Sequence, residues 1–238
     1  MRPQPFFVTM HAMLPRLLEP EIMDTAEDAA DYDAMNHAAV NGAFCTDFLG
    51  VVGSSPLERV LDVGTGTALI PIELCKRRPA LSVVALDLAE HMLNRARENV
   101  ARAGLHGRIV LELRDAKESA LPPGSFDAVV SNSIVHHIPS PGGAVAEMWR
   151  LVAPGGTLFI RDLFRPETEE ALGHLVETYA PRGDERTNRQ RALFEASLRA
   201  ALTEADVEAI AKVARIEGAL LQLTSDRHWT LSAKRSPT

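Results

Sequence analysis

The chain has 238 residues, of which 46% are hydrophobic, and a formal net charge of −7. This length and composition suffice to bury the core of one compact, soluble domain with additions. The negative charge argues against a nucleic-acid partner, because binding to a phosphate backbone depends on clustered Lys and Arg side chains.

Cysteine spacing and the first residues indicate where the protein works. Cys45 and Cys75 cannot build a disulfide framework, and no neighbouring Cys or His gives them the spacing of a zinc site. The N-terminus lacks a basic segment followed by an apolar stretch, and no window approaches the length of a bilayer span. We therefore expect a cytoplasmic protein without a membrane anchor, and leave open whether it is a monomer or a homodimer.

The first 54 residues predict a helical segment ahead of the first strand. Four prolines punctuate residues 3–20, and apolar residues then recur at helical spacing over Glu21 to Ala34 and Asn36 to Val52. The phenylalanines of this segment are expected to pack on a sheet. Tyr32 differs from them, because its hydroxyl needs a polar partner when it is buried.

The most informative run is VLDVGTGTA at residues 60–68. Apolar residues lead into a turn in which Gly64 and Gly66 allow positive φ and close approach of a ligand, and a helix with free N–H groups begins beyond it. Asp87 closes the second predicted strand about 20 residues later, where a carboxylate can accept hydrogen bonds from ribose hydroxyls. This pattern is typical both of nicotinamide dehydrogenases and of S-adenosylmethionine (SAM) enzymes.

Asp62 favours the second class. It lies shortly before Gly64, where its charge would repel a pyrophosphate and attract an ammonium or sulfonium group. At this point the chain resembles the class I SAM-dependent methyltransferases, whose first motif is an acidic residue followed by xGxGxG. The resemblance runs from about Glu58 to Asp162 and returns at the C-terminus, with Ala68 in place of the usual third glycine.

This resemblance implies a fold, a cofactor and a lid. Helical and extended segments alternate after residue 68, which predicts an α/β fold of the Rossmann-like, doubly wound class with a mostly parallel sheet over residues 55–238. The implied cofactor is SAM. Residues 1–54 would form an N-terminal helical lid, from which Tyr32 would reach the carboxylate of SAM.

Ligands of such sheets bind at the carboxyl ends of the strands, so four strand ends nominate the cofactor site. Besides Asp62, the predicted cofactor-binding residues are Gly64, Thr65 and Gly66 after the first strand, Asp87 and Leu88 after the second, Asp115 and Ala116 after the third, and Ser131 and Asn132 after the fourth. Leu88 is apolar enough to lie against adenine, and the resemblance assigns Asp115 to the adenine amino group.

His136 and His137 follow the fourth predicted strand. Many methyltransferases that the chain resembles carry a similar His-His element here, whose first histidine often faces the cofactor pocket. Because a histidine titrates near neutrality, His136 is a candidate for removing a proton from an acceptor. The structural alternative is a capped, partly buried histidine pair.

The C-terminal third predicts a turn, an insertion and a hairpin. The Pro-Gly-Gly segment at residues 154–156 is expected to reverse the chain ahead of a fifth strand. A helical insertion over about residues 164–201 departs from the minimal fold and carries Tyr179 and Ser197 as candidates for the acceptor wall. Residues 216–224 and 228–232 are extended, which matches the antiparallel last pair of class I methyltransferases.

Three functions share this fold. The family implies in-line transfer of the SAM methyl group to a small molecule, without a metal ion. The insertion and the ending SDRHW also resemble bacterial enzymes that cyclise SAM to azetidine-2-carboxylic acid and methylthioadenosine, for which Tyr179, Asn132 and Ser197 would be the catalytic candidates. The third is a SAM-binding protein without turnover.

Overall fold

The computed structural model describes residues 13–19, 24–35 and 37–237. The first half of the chain contains α1 (Ala26–Asp33), α2 (Ala38–Val52), β1 (Arg59–Val63), α3 (Leu69–Arg77), β2 (Ser82–Asp87), α4 (Glu90–Arg102) and β3 (Ile109–Leu113). The second half contains β4 (Phe126–Asn132), a 3₁₀ turn (Val135–His137), α5 (Gly142–Leu151), β5 (Val152–Leu163), α6 (Glu169–Tyr179), α7 (Glu185–Ala200), α8 (Glu204–Val213), β6 (Leu220–Leu223) and β7 (His228–Lys234). The helix starts predicted at Glu21 and Asn36 lie outside the described residues. No described helix has both the length and the apolar composition that crossing a bilayer requires.

One seven-stranded sheet organises the chain, in the order β3-β2-β1-β4-β5-β7-β6. Strands β1 to β5 pair in parallel, and β7 runs antiparallel to both β5 and β6. The predicted α/β class, with a mostly parallel sheet and an antiparallel C-terminal pair, is confirmed. The strand order reverses between β1 and β4, which is where sheets of this class bind ligands.

Alternate residues of the central strand β1 enter two separate cores. Val60 packs with Phe44 and Leu74 from helices on one face of the sheet, whereas Leu61 packs with Met148 and Trp229 on the other. All six side chains are almost completely buried. Because side chains alternate along a strand and both faces of this sheet are covered, the strand reads in the sequence as a nearly continuous apolar run.

The insertion after β5 consists of helices α6 and α7. Leu172, Leu175 and Leu198 from these helices pack together with Leu163 at the end of β5. Helix α7 also contacts α1, because Arg186 and Arg189 form ion pairs with Asp31 at 2.7 and 3.1 Å. The insertion therefore connects the sheet with the N-terminal helices.

The Pro-Gly-Gly segment is part of β5 and not the predicted chain reversal. The β4–β5 pairing joins Phe126 to Val152 and Ala128 to Thr157, so the intervening residues of β5 bulge out of the ladder. The chain reverses where α5 ends and β5 begins directly at Val152. A Cβ atom on Gly156 would lie 2.8 Å from the carbonyl oxygens of both Ala153 and Asp127. The glycine is required here by close backbone approach.

We expect Gly156→Ala to lower the free energy of unfolding by about 1–3 kcal/mol, because two backbone carbonyls must move to admit the methyl group. Gly173→Ala in α6 is the matched control, since a Cβ atom there meets nothing within 4 Å. In a helix interior this control should stabilise the protein by up to about 1 kcal/mol. Urea unfolding measures both values, and equal stability of Gly156→Ala and the wild type would contradict the bulge argument.

Candidate functional site

Two neighbouring cavities lie near the carboxyl ends of the parallel strands. The strand-end cavity is lined by eight of the predicted cofactor residues, namely Tyr32, Gly64, Gly66, Asp87, Leu88, Asp115, Ala116 and Asn132. The insertion cavity encloses about 610 Å³, a volume within the range of small-molecule sites. It is lined by all four predicted catalytic residues, Asn132, His136, Tyr179 and Ser197. Tyr32, Asn132, Ser133 and His137 line both cavities.

The glycine turn after β1 is fixed against the turn after β4. Gly64 has φ +75°, and its amide donates to the carbonyl of Leu86 at 2.8 Å. A Cβ atom on Gly64 would lie 2.2 Å from Cγ2 of Ile134, so only glycine leaves room for that side chain. The turn thus combines a left-handed conformation with close packing.

Asp87 holds the same turn from the end of β2. Its Oδ2 accepts a hydrogen bond from the amide of Gly66 at 2.7 Å, and its Oδ1 accepts one from the amide of Ala89 at 2.9 Å. Burial raises the pKa of Asp87, while these backbone hydrogen bonds act in the opposite direction. Each carboxylate oxygen has a second lone-pair direction that remains for a ligand hydroxyl.

Asp62 is a buried acid behind the turn. Its Oδ2 has no hydrogen-bond partner among the described residues. Burial raises the pKa of Asp62 to about 7; the Thr65 hydroxyl lowers it and the charge of Asp87 raises it further. Asp62 and Thr65 are buried and are not among the described residues that line the two cavities. The acid can act on the strand-end cavity through its charge.

Ser131 occupies a different position from the predicted one. Its hydroxyl donates to the carbonyl of Val63 at 2.9 Å, and the residue is fully buried. The neighbouring Asn132 does line both cavities. Because successive side chains point to opposite faces of a strand, these two residues cannot both face the ligand. The structure therefore places Ser131 in the sheet interior.

Tyr32 places α1 over the glycine turn. Its ring lies 4.4 Å from the ring of His37 and close to Gly66, where a Cβ atom would be 3.6 Å from Cε1 of the tyrosine. Burial, together with the charges of Asp87 and Asp62, raises the pKa of Tyr32 to about 12. The hydroxyl therefore stays protonated and can donate into either cavity.

His136 is held by a carboxylate that lies fully inside the protein. Asp162, 0% exposed at the end of β5, accepts hydrogen bonds from the backbone amides of Val135 and His136 and from Nδ1 of His136. Burial alone would lower the pKa of His136, but Asp162, with help from Glu19, outweighs it and raises the pKa to about 9. Both ring nitrogens face carboxylates, Nδ1 that of Asp162 and Nε2 that of Glu19. The role of general base remains a prediction. The alternative of a capped, buried histidine agrees better.

The other catalytic candidates differ in how they are engaged. Tyr179 is 43% exposed, donates from its hydroxyl to Asp226 at 2.6 Å, and has the guanidinium of Arg227 at 3.4 Å over one ring face. Ser197 donates to Glu19 at 3.1 Å. The buried Oδ1 of Asn132 has no hydrogen-bond partner among the described residues. Asn132 is therefore the available polar group where the cavities join.

At the level of sequence, Glu19 was missed and Asp162 was not predicted to hold His136. Asp162 could have been found, because a single acid ends the apolar strand that begins at Leu158. Glu19 gave no signal, since it is one of several acids in a proline-punctuated segment. It reaches the site because Arg16 donates to the carbonyls of His136 and Ala200, at 3.0 and 2.8 Å.

Comparison with known proteins assigns the fold and its site to a family. The chain matches the methyltransferase domain over residues 61–160. It is 35% identical over 165 residues to phosphatidylethanolamine N-methyltransferase of Cereibacter sphaeroides, which covers 62% of this chain and 80% of that protein. The chain belongs to the class I SAM-dependent methyltransferase family.

Two further likenesses set the extent of this relationship. This chain is 36% identical over 121 residues to an uncharacterized methyltransferase of Mycobacterium bovis. The match covers 51% of this chain and 58% of that protein. It thus spans less than two thirds of that relative's length. A solved SAM-dependent methyltransferase from Aquifex aeolicus matches with a TM-score of 0.64 at 20% identity, over 88% of this chain and 98% of that chain. This structural similarity shows that the two chains share a fold.

The groups around the strand-end cavity fit the cofactor of the family. Asp87 offers acceptors for ribose hydroxyls, and Asp115 with the apolar Leu88 and Ala116 offers an acceptor and flat contacts for adenine. The unpaired Oδ2 of buried Asp62 fits the cationic methionine end. The three aspartates are acidic, and acidic groups attract a cationic ligand.

We expect Asp87→Ala to weaken SAM binding by about 1–3 kcal/mol, because the ribose would lose a charged acceptor. Asp127→Ala is the matched control, since the Asp127 carboxylate also accepts from two backbone amides, of Glu58 and Arg59, but at the other end of the sheet. Calorimetry with SAM and thermal unfolding are measured on both variants. Equal loss of SAM affinity in both would exclude a ribose contact by Asp87.

Asp62 should make the stability of the ligand-free protein depend on pH. With a pKa of about 7 in the folded state against an ordinary value of 3.8, its contribution is present below pH 4 and is lost as the pH rises through 7. Between pH 5 and 8, we expect the free energy of unfolding of Asp62→Asn to fall by about 2–3 kcal/mol less than that of the wild type. Urea unfolding at several pH values measures it, and parallel curves for variant and wild type would refute it.

Proposed function

We propose that this protein transfers the methyl group of SAM to a small molecule bound in the insertion cavity. The observation that carries the proposal is that the two cavities share four lining residues, all of which bear polar side chains. SAM supplies a methyl carbon made electrophilic by the adjacent sulfonium. The protein then has to hold the acceptor nucleophile in line with the bond that breaks.

The cofactor half of the site would be held by strand-end residues. Asp87 would accept hydrogen bonds from the ribose, and Asp115 one from the adenine amino group, between the apolar contacts of Leu88 and Ala116. Asp62 would balance the positive charge of the methionine end through the wall of the turn. Tyr32 would donate its hydroxyl to the carboxylate.

Water exclusion would come from residues 1–54 acting as a lid on the domain formed by residues 55–238. Asp31 of α1 supports this, since it receives ion pairs from Arg186 and Arg189 and a hydrogen bond at its carbonyl from Gln190. These contacts join the lid to the insertion at about residues 164–201. Closure would keep solvent from the reacting atoms and strengthen the electrostatic contacts inside.

The acceptor would be oriented by groups around the cavity junction. Asn132 offers an unpaired buried oxygen, which can accept a hydrogen bond from an acceptor hydroxyl or amine. His136 would be fixed by Asp162 and Glu19 and would not serve as the base, because both ring nitrogens face carboxylates. A small acceptor in the cytoplasm, and not a nucleic acid, agrees with the net charge of −7.

Cyclisation of SAM to azetidine-2-carboxylic acid and methylthioadenosine is the second candidate. The convergence of Tyr179, Asn132 and Ser197 on one cavity supports it. One face of the Tyr179 ring is already covered by Arg227, and the Ser197 hydroxyl is engaged by Glu19. Only the other ring face could contact a sulfonium. Methyl transfer is therefore the better-supported reaction.

Product analysis decides between the candidates. The protein is incubated with SAM, with and without a panel of small amines, phenols, thiols and carboxylic acids, and S-adenosylhomocysteine is resolved from methylthioadenosine by mass spectrometry. We expect S-adenosylhomocysteine only when an acceptor is present, and less of it from Asp87→Ala at low SAM concentration; a sample without protein serves as the blank. Methylthioadenosine from SAM alone, lost in Tyr179→Ala and retained in Tyr179→Phe, would replace methyl transfer with cyclisation. If SAM binds and neither product forms, the protein is a SAM-binding protein without turnover.

A further inference from the structure

A cluster of two histidines and one glutamate lies at the wall between the two cavities. Oε1 of Glu19 is 3.3 Å from Nε2 of His136 and 3.1 Å from Nδ1 of His137. One ligand atom from each of the three residues falls within 4.8 Å of the others. We propose that Glu19, His136 and His137 bind a divalent transition-metal ion of the Zn²⁺ type.

The spacing of the donor atoms fits such an ion. Zinc binds imidazole nitrogen and carboxylate oxygen at about 2.0–2.2 Å, which in a tetrahedral site puts neighbouring donors about 3.3–3.5 Å apart. The distances from Glu19 to the two imidazoles differ from this spacing by a few tenths of an ångström at most. The site can therefore form without a change in backbone path.

The second observation is the orientation of His136. Its Nδ1 is held by Asp162, which leaves Nε2 directed at Glu19. Apart from the Glu19 carboxylate, Nε2 is buried without a polar partner among the described residues, and His136 is 2% exposed. A carboxylate on the far nitrogen is the usual partner of a metal-binding histidine, because it fixes the ring and makes the ligating nitrogen more basic. Asp162 is a positioning residue in this arrangement.

The donor set selects the class of metal. Two nitrogens and one oxygen suit Zn²⁺ and its neighbours in the first transition row, whereas Mg²⁺ and Ca²⁺ prefer oxygen ligands throughout. Three protein ligands leave one tetrahedral position. Because His137 lines both cavities, that position would open towards the reaction space, where water or an acceptor atom could occupy it.

The segment that carries Glu19 is held in place by hydrogen bonds, so it can present Glu19 as a metal ligand. Arg16 donates to the carbonyls of His136 and Ile138, both at 3.0 Å, and the amide of Leu17 donates to the carbonyl of Arg199 at 3.0 Å. These bonds hold the segment against the 3₁₀ turn that contains both histidines. The metal would complete the same junction.

Zinc binding to the full chain tests the site. Protein without a polyhistidine tag is freed of metal with a chelator, and Zn²⁺ is titrated by calorimetry and by competition with a chromogenic chelator. We expect one Zn²⁺ per chain, a rise in melting temperature on binding, and no comparable effect of Mg²⁺. His137→Ala and Glu19→Gln should each weaken binding by about 100-fold, and Asp162→Asn by about 10- to 100-fold.

His174→Ala is the matched control, because His174 is an exposed histidine of α6 away from the cluster. It should bind Zn²⁺ like the wild type. Circular dichroism of each variant separates loss of the site from loss of the fold. Absence of stoichiometric binding to the wild type would overturn the proposal, as would equal Zn²⁺ affinity in His137→Ala, Glu19→Gln and His174→Ala. Neither result depends on the methyl-transfer activity.

Discussion

One fully buried charge fixes the geometry of the site. The carboxylate of Asp162 has no contact with water, so it is tolerable only if hydrogen bonds surround it. Backbone amides on both sides of it, from Val135 and Leu163, and the imidazole of His136 provide them. The turn after β4 is thereby attached to the end of β5. That attachment sets where Ile134 packs against the glycine turn and thus the shape of both cavities.

Acidic residues are concentrated on one side of the Asp162 carboxylate. Asp62 and Asp87 both have raised pKa values from burial, and the hydroxyl of Tyr32 lies in their field. Such an arrangement is unfavourable when the cavity is empty and becomes favourable when a cation enters. The same residues therefore weaken the free protein and give a cationic ligand its binding energy. This trade between stability and binding is common at functional sites.

The sequence predicted those parts of the site that depend on local order. Strand ends of a parallel sheet meet at one edge, so the position of Asp87 and Asp115 at the strand-end cavity could be predicted from the alternation of strands and helices. The strand end alone could not show that the Ser131 side chain points away from the cavity, because successive side chains of a strand point to opposite faces of the sheet. The bulge at Gly156 depends on how β4 pairs with β5, which local pattern does not contain. Glu19 joins the site across more than a hundred residues of chain, and no periodicity reports such a contact.

The match to the family ends at residue 160, whereas most of the wall of the insertion cavity comes from outside it. Helices α6 and α7 supply part of that wall, and they contact the rest of the protein through a small apolar cluster, the ion pairs to Asp31 and the hydrogen bonds of Tyr179 and Ser197. The cofactor half has no side chain in common with that cluster. If the proposed acceptor binds in this cavity, replacement of these two helices would change the acceptor specificity without a change in the sheet.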